Sequence, residues 1–292
     1  MNRYVPIIGL EIHARLKTAT KMFCRCPSVP DSAPANTAIC PICTGQPGTL
    51  PALNEQAVRL GVRVGLALNG TIPDHASFDR KQYFYPDLPK GYQITQYDQP
   101  VVTGGALDIR SALASGGVRR VGITRAHLEE DAAKNLHDPA SGSTFVDFNR
   151  AGAPLLEIVT EPDLRAPEEA KAFLQELQAL LRAINASDAD MEKGYMRCDA
   201  NVSLLPIDAD GRALQKTFNP KVEIKNLNSF RAVERALHFE IRRQSETYNA
   251  GGTVAGETRG WDDARGETVA QRSKETSADY RYFPEPDLPE LE

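Results

Sequence analysis

Apolar and ionisable side chains alternate strictly in residues 10–16, Leu10-Glu11-Ile12-His13-Ala14-Arg15-Leu16. Successive side chains of a β-strand point to opposite faces, so this period of two predicts a strand with one apolar and one polar face. Residues 196–203, Met196-Arg197-Cys198-Asp199-Ala200-Asn201-Val202-Ser203, follow the same pattern. Both segments therefore predict strands of a sheet that is buried on one side only.

Two further segments add carboxylates to this predicted sheet. Residues 127–131 read His127-Leu128-Glu129-Glu130-Asp131, and residues 154–159 read Pro154-Leu155-Leu156-Glu157-Ile158-Val159. Glu157 is the one charge in an apolar run, where burial is costly unless a metal ion, a proton or a counter-ion accompanies it. The four segments together predict a carboxylate-rich face, which is typical of a metal-assisted active site.

Half-polar strands favour an antiparallel or mixed sheet over a buried parallel one. Helical patterns cover residues 54–69, with Asn54 as N-cap, and begin again at Pro167 and after Ser229. We predict an α+β fold, a mostly antiparallel sheet with a polar catalytic face and helices packed on its apolar face. We expect residues 1–292 to form a single domain. The predicted strands also include residues 121–128, 144–149, 155–159, 197–204 and 221–227.

The composition is that of a soluble globular protein. Of the 292 residues, 41% are hydrophobic and 25% are charged, and the net charge of −5 gives no reason to expect DNA binding. No apolar run approaches the length of a membrane span, and the N-terminus lacks the pattern of a signal peptide. We therefore expect a cytoplasmic protein with reduced thiols and no membrane partner.

Four cysteines form two closely spaced pairs, Cys24 with Cys26 and Cys40 with Cys43, joined by a proline-rich loop. This spacing predicts a tetrahedral Zn²⁺ knuckle at about residues 22–46, closed by four protein ligands and therefore structural. A pair of disulfides is the competing interpretation, which a reducing compartment disfavours. Cys198 alternates with apolar residues and is predicted to be a packed core thiol.

The predicted polar face could bind one or two Mg²⁺ ions, because hard cations prefer oxygen ligands and retain waters for a phosphate substrate. The alternative is a solvated sheet face, and for His127 a structural hydrogen bond is an equal alternative. The sequence has neither a G-x-x-x-x-G-K-[ST] nor a G-x-G-x-x-G loop, so a nucleotide would be held in another way. The candidate residues are Glu11, His13, Glu129, Glu130, Glu157 and Asp199.

Cations and aromatic residues are interleaved in residues 78–93, Phe78-Asp79-Arg80-Lys81-Gln82-Tyr83-Phe84-Tyr85-Pro86-Asp87-Leu88-Pro89-Lys90-Gly91-Tyr92-Gln93. Aromatic rings can stack on bases and cations can hold phosphates, as an unpaired RNA end or a nucleotide requires. A buried aromatic cluster with a proline turn would explain the rings equally well, but not the cations.

These segments resemble those of one family, the B subunits of the aspartyl/glutamyl-tRNA amidotransferases. The similarity extends over nearly the whole chain. It includes Asp147-Phe148-Asn149-Arg150, Glu223-Ile224-Lys225-Asn226-Leu227-Asn228-Ser229-Phe230 and Asp279-Tyr280-Arg281-Tyr282-Phe283-Pro284-Glu285-Pro286-Asp287, besides the strings quoted above.

The resemblance implies ATP-dependent transamidation of Glu on tRNA(Gln), of Asp on tRNA(Asn), or of both. ATP would phosphorylate the side-chain carboxylate, and ammonia would displace the phosphate. The resemblance implies Glu11, His13, Glu130 and Glu157 as Mg²⁺ ligands, with Glu129 and Asp199 as second candidates. It implies contacts to ATP or tRNA phosphates from Arg80, Lys81, Lys90 and Lys225.

The resemblance also implies partners. A separate amidase, the A subunit, would supply ammonia, a small C subunit would brace the pair, and the acceptor end of the misacylated tRNA would enter the site. Family members continue into helical tail domains that grip the tRNA body. We expect these to be absent here, leaving a catalytic cradle with the zinc-knuckle loop.

Two other functions remain open at this point. The chain could be a non-catalytic docking or assembly module of the same complex, although a carboxylate-rich face repels phosphate unless a metal intervenes. It could also be an unrelated Mg²⁺-dependent phosphotransferase or hydrolase of small substrates.

Overall fold

The predicted alternating strand is the centre of a nine-stranded sheet in the computed structural model, which describes residues 3–271 and 279–292. It spans Arg3–Arg15. Its apolar side chains Leu10, Ile12 and Ala14 are at most 1% exposed, whereas Glu11 and His13 are only partly buried. The period of two in the sequence therefore separates a core face from a polar face, as predicted.

The described residues form fourteen strands. In chain order these are β1 Arg3–Arg15, β2 Asp79–Gln82, β3 Tyr92–Thr95, β4 Val102–Thr103, β5 Ala106–Arg110, β6 Val118–Glu130, β7 Lys134–Asp138, β8 Ser143–Asp147, β9 Pro154–Thr160, β10 Met196–Ile207, β11 Val222–Leu227, β12 Glu257–Asp262, β13 Glu267–Ala270 and β14 Phe283–Pro284. The main sheet has the order β13-β12-β11-β10-β1-β9-β6-β4, and β5 also pairs with β6. Within the described ranges, only β11 and β12 pair in parallel.

Three α-helices lie within the described residues, α1 Glu55–Ala67, α2 Pro167–Ala183 and α3 Phe230–Asn249. Their starts follow the predicted signals. The side chains of Asn54 and Ser229 accept hydrogen bonds from backbone N–H groups in the first turns of α1 and α3, and Pro167 opens α2. These caps satisfy donors that would otherwise have no partner at the helix ends.

The helices pack on the apolar face of the main sheet. Helix α3 lies against β10 and β11, α2 contacts α3 and β5, and α1 lies against β6 and β4. Side chains from the helices and the strands share one buried core, which includes Ile8, Leu10, Leu128, Ile158, Phe173, Leu177, Val233 and Leu237. The α+β class and the antiparallel character of the sheet are thus confirmed, and the opposite face of the sheet is available for chemistry.

The remaining strands form two smaller sheets. Strands β14, β2 and β3 form one of them, in which Phe283 pairs with Arg80, and β7 and β8 form a separate hairpin. The strand predicted at residues 144–149 is β8 and so belongs to this hairpin. In the described part of the chain, no helix is both long and apolar enough to cross a membrane.

The cysteine loop has no helix and no strand between residues 22 and 46. Instead, hydrogen bonds join it to β8 and to the segment that follows β8. Asn36 donates to the Val146 carbonyl at 3.1 Å, and the Asn149 side chain bonds both the Ala38 N–H at 2.9 Å and the Pro34 carbonyl at 2.8 Å. The loop therefore depends on its anchoring residues and on its cysteines for a defined shape.

Candidate active site on the polar face of the sheet

Three side chains from neighbouring strands converge on the polar face. His13 of β1 lies opposite Glu157 of β9, and Glu129 comes from β6 beyond β9. The His13 Nε2 atom is 3.4 Å from Glu157 Oε2 and 3.5 Å from Glu129 Oε1. One possible ligand atom from each of the three residues lies within 4.8 Å of the others. An imidazole nitrogen with two carboxylates is a donor set that suits a divalent cation.

His127 supports this cluster from β6. It lies opposite Glu157 in the sheet register, and its Nε2 atom is 3.1 Å from Glu157 Oε2. Its Nδ1 atom is buried without a hydrogen-bond partner among the described residues. The Nε2 nitrogen is therefore the ring atom placed to donate a hydrogen bond to Glu157.

The charges in the cluster reinforce one another. Burial lowers the pKa of His13, but its hydrogen bond to Glu157 and the charges of Glu129 and Glu157 outweigh burial and raise that pKa to about 9. For Glu157, burial raises the pKa, and hydrogen bonds from His127 and His13 lower it well below its usual range. Without a metal ion, the cluster at neutral pH therefore holds a protonated His13 against an ionised Glu157. A cation would take the place of the proton.

Glu11 adjoins the cluster on the same strand and face. Its Oε1 atom accepts a 2.9 Å hydrogen bond from the Asn201 side chain, and Asp199 lies opposite it on β10. Burial, followed by the charges of Glu157 and Glu223, raises the pKa of Glu11. Glu11 is therefore a carboxylate whose ionised form a nearby cation would stabilise.

The structure does not bring Glu130 to this cluster. Adjacent residues of a strand face opposite ways, so Glu130 and Glu129 lie on different sides of β6. Glu130 accepts a hydrogen bond from the Ile94 N–H at 3.0 Å and pairs with Lys90 Nζ at 2.6 Å. Of the four ligands that the resemblance implies, His13 and Glu157 come together and Glu11 adjoins them. Glu130 lies apart from them, whereas Glu129, a second candidate, lies beside His13.

The four predicted phosphate-binding cations have different surroundings. Arg80 makes a two-pronged ion pair with Glu285, at 2.7 and 2.8 Å, and a 3.2 Å contact with Asp287. Lys90 is paired with Glu130.

Lys225 lies 2.7 Å from Asp199. Burial lowers the pKa of Lys225, but the charge of Asp199 and hydrogen bonds outweigh burial and raise that pKa above the usual lysine value. Lys81 stacks over the Tyr280 ring.

Lys81 and Lys225 border the cavity beside the cluster, whereas Arg80 ties the segment around β14 to β2. The cavity has a volume of about 640 Å³, within the range of ligand sites. Its walls carry both signs of charge, from Lys81, Arg197, Lys225, His13, Glu129, Asp131 and Asp199. A second cavity of about 320 Å³ lies beyond Glu11 on the same face, lined in part by Asn201, Ser203, Phe218 and Lys221.

Asp131 and Arg197, which are not among the predicted site residues, form an ion pair. Arg197 donates to Asp131 Oδ1 at 2.8 Å, and Arg150 approaches the other carboxylate oxygen at 3.7 Å. Burial raises the pKa of Asp131, but the two arginines outweigh burial and lower it below its usual value. The alternating pattern of residues 196–203 already predicts Arg197 on the polar face of β10, but it does not show that Asp131 is its partner.

The four predicted zinc ligands Cys24, Cys26, Cys40 and Cys43 meet at one place, with their sulfur atoms within 4.8 Å of one another. Tetrahedral Zn–S bonds of about 2.3 Å imply sulfur separations of about 3.8 Å, and Cys40 and Cys43 are 3.9 Å apart. The structure has all of these cysteines as free thiols. A hydrogen bond from Cys24 and the neighbouring Lys21 lower the pKa of Cys43 to about 4. Cys198 is buried, as predicted for a core thiol.

Comparison with known proteins shows the family to which this chain belongs. The family model described as "GatB/GatE catalytic domain" matches residues 6–292, and this chain belongs to that family. Proteins named as the B subunit of an aspartyl/glutamyl-tRNA(Asn/Gln) amidotransferase are similar to it throughout. Those of Brevibacillus brevis and Moorella thermoacetica are 51% and 52% identical, each over 99% of this chain and 58% and 59% of the relative. The Rhodopirellula baltica protein is 54% identical over 97% of this chain and 57% of its own length. The chain thus spans less than two thirds of these relatives.

Proposed function

We propose that this chain is the carboxylate-activating part of a tRNA-dependent amidotransferase. It would convert Glu on tRNA(Gln), or Asp on tRNA(Asn), to the corresponding amide with ATP and ammonia. The observation that carries the proposal is the cluster of His13, Glu129 and Glu157 beside a cavity bordered by Lys81, Arg197 and Lys225. The names of the relatives, B subunits of aspartyl/glutamyl-tRNA(Asn/Gln) amidotransferases, support the tRNA-dependent amidotransferase part of the proposal.

The proposed chemistry has two displacements. A free carboxylate is a poor acyl donor, so one of its oxygens first attacks the γ-phosphorus of ATP, the bond to the bridging oxygen breaks, and ADP leaves. Ammonia then attacks the carbonyl carbon of the acyl phosphate, and the C–O bond breaks to release phosphate. Phosphoryl transfer depends mainly on positioning and charge neutralisation, which requires cations and not a protein nucleophile.

The residues of the polar face meet that requirement. The substrate carboxylate and the phosphates of ATP are all negative and must approach closely. A divalent cation held by His13, Glu129 and Glu157 would neutralise part of that charge. Lys81, Arg197 and Lys225 would attract the remaining negative groups from the cavity wall. Lys225 keeps its charge because Asp199 holds it, so it can act as a fixed cation.

We assign the two substrates to the two cavities that flank Glu11. The smaller cavity includes an aromatic ring, Phe218, and a cation, Lys221, which are suited to an adenine base and a phosphate. The larger cavity would receive the aminoacyl end of the tRNA. In this arrangement the γ-phosphate and the substrate carboxylate would meet at the cluster of His13, Glu129 and Glu157, where the divalent cation would be held.

The proposal includes partners. An amidase, the A subunit, would release ammonia from glutamine, a small C subunit would brace it, and the acceptor end of misacylated tRNA would be the RNA ligand. The catalytic unit would be the cradle formed by residues 1–292. Structural zinc would hold the cysteine loop.

The test combines the chain with its amidase and small subunits, Glu-tRNA(Gln), ATP and either ammonium chloride or glutamine. We expect ADP and Gln-tRNA to form together. Glu157→Gln should slow both by about 100-fold or more, because it removes one carboxylate from the place where charge must be neutralised. Glu176→Gln, an exposed change on α2, is the matched control and should leave both rates unchanged.

A docking or assembly module would give a different result. Glu157→Gln would then leave amide formation unchanged, provided that the three proteins still co-elute in gel filtration. ATP hydrolysis that does not depend on misacylated tRNA would instead favour an unrelated phosphotransferase or hydrolase.

A further inference from the structure

Lys21 is a fully buried lysine next to the four cysteines. It is 1% exposed, although lysine is almost never fully buried unless its charge is paired. It precedes Cys24 by three residues, at the start of the cysteine loop. The spacing of the cysteines predicts the zinc knuckle, but it gives no role to a buried ammonium group at this position.

The contacts of Lys21 point to the cysteines as the source of negative charge. Its Nζ atom lies 3.4 Å from Cys43 Sγ and 3.2 Å from the Phe148 carbonyl oxygen. In the described part of the chain, Lys21 makes no ion pair with a carboxylate. A carbonyl dipole alone is a weak partner for a buried ammonium group.

The charge state of the cysteines decides whether this arrangement is stable. Four neutral thiols or two disulfides would leave Lys21 buried without an opposite charge. Four thiolates around one divalent ion carry a net charge of −2, which an adjacent ammonium group offsets in part. The position of Lys21 therefore favours a thiolate metal site over a disulfide-bonded loop, independently of the spacing of the cysteines.

The backbone around Lys21 keeps the side chain in this place. The Lys21 N–H bonds the Cys26 carbonyl at 3.0 Å, and the Asn54 side chain bonds the Lys21 carbonyl at 3.2 Å. Gly152 has a positive φ of 83°, and a Cβ atom there would contact both the Lys21 side chain at 3.6 Å and Cys43 at 3.5 Å. The aliphatic part of the Lys21 side chain thus packs between Gly152 and the cysteine loop.

We propose that Lys21 is the built-in counter-ion of the four-cysteine site, holding Zn²⁺ there by offsetting the negative charge of the thiolates. Through the Phe148 carbonyl, it also attaches the site to the segment after β8. Lys21 is a positioning residue for the metal, and this role does not depend on the transamidation reaction proposed above.

The first test compares zinc affinity and release in the full chain. Lys21→Met keeps the length of the side chain and removes the charge, and Lys17→Met at an exposed position is the matched control. We expect Lys21→Met to weaken zinc binding by about tenfold or more in competition with a chromogenic chelator, and to release zinc correspondingly faster. Lys17→Met should behave as the wild type. Equal affinity and equal release in the Lys21→Met and Lys17→Met proteins would overturn the proposal.

A second measurement uses only the wild-type chain, in case Lys21→Met does not fold. In ¹⁵N-lysine NMR spectra, a buried ammonium group held by thiolates should give a slowly exchanging charged NH₃⁺ signal in the zinc-loaded protein. Removing zinc with a chelator should shift or broaden that signal. A spectrum without such a signal, or a signal that neither shifts nor broadens when zinc is removed, would contradict the role of Lys21 as counter-ion.

Discussion

Glu129 and Glu130 are adjacent in the chain, yet they act on opposite sides of strand β6. Glu129 faces His13 at 3.5 Å on the polar face, and Glu130 pairs with Lys90 at 2.6 Å on the other side. The period of two along a strand separates the two carboxylates. Only Glu129 can therefore share a cation with His13 and Glu157 in this geometry.

This separation predicts unequal effects of two otherwise identical substitutions. Glu129→Gln should weaken Mn²⁺ binding by about tenfold or more, because it removes one of three converging ligands. Glu130→Gln should change Mn²⁺ binding less than about twofold, which makes it an internal control of the same size and charge. Electron paramagnetic resonance of free Mn²⁺ measures both affinities. Equal losses in the two variants would show that the ligands are arranged differently.

Metal binding should depend on pH in a definite direction. The raised pKa of His13, about 9, means that a proton occupies the ring at neutral pH and must leave before the ring can bind a cation. The Mn²⁺ affinity should therefore rise about tenfold per pH unit from about pH 7 and level off near pH 9. His13→Asn should weaken binding and remove this slope. An affinity that is flat across this range in the wild-type protein would contradict the charge state inferred for His13.

Asp131 should stabilise the fold at neutral pH and lose this effect in acid. Its folded-state pKa is depressed, so its contribution is present above the unfolded value near 4 and is lost as the pH falls through the folded value. Asp131→Asn should lower the free energy of unfolding by about 2 kcal/mol at pH 7, allowing for the partial exposure of Arg197. The difference should shrink in acid. Urea unfolding at neutral and at acid pH measures it, with the exposed change Asp74→Asn as control. A constant difference at both pH values would exclude the ion pair as its cause.

Arg80 should hold the segment of residues 283–287 in place and contribute little to phosphate binding. Its guanidinium group is engaged by Glu285 and Asp287 and stacks over the Tyr92 ring. Arg80→Met should speed hydrogen exchange in this segment, lowering the local opening free energy by about 3 kcal/mol. Lys81→Met should leave exchange there unchanged and raise the KM for a substrate. The reverse pattern would assign the phosphate contact to Arg80.

The alternating pattern was sufficient to predict the polar face. Residues 10–15 of β1 and 196–203 of β10 carry it, and the caps at Asn54 and Ser229 mark the helix starts. The same parity could have separated Glu129 from Glu130, because Leu128 marks the apolar side of β6 two residues before Glu130. The resemblance implies Glu130 as a ligand, and its role in metal binding stays a prediction.

Contacts between distant residues could not be predicted in this way. Arg80 and Glu285 are separated by 205 positions, and no local pattern shows that β14 returns to pair with β2. Strands β12 and β13 were also missed, because their sequence is rich in charged residues and glycine and they join the sheet at its edge. β12 is held between β11 and β13, and β13 packs against α3, which a single-sequence pattern does not show.

We propose that this polar face transfers the γ-phosphate of ATP to a side-chain carboxylate. The most direct measurement uses Glu-tRNA(Gln) labelled with ¹⁸O in the side-chain carboxylate, in the assembled complex with ATP and ammonia. If the carboxylate is phosphorylated, the phosphate released should carry one ¹⁸O atom for each amide formed, and Glu157→Gln should suppress both products together. Amide formation with unlabelled phosphate would contradict the claim.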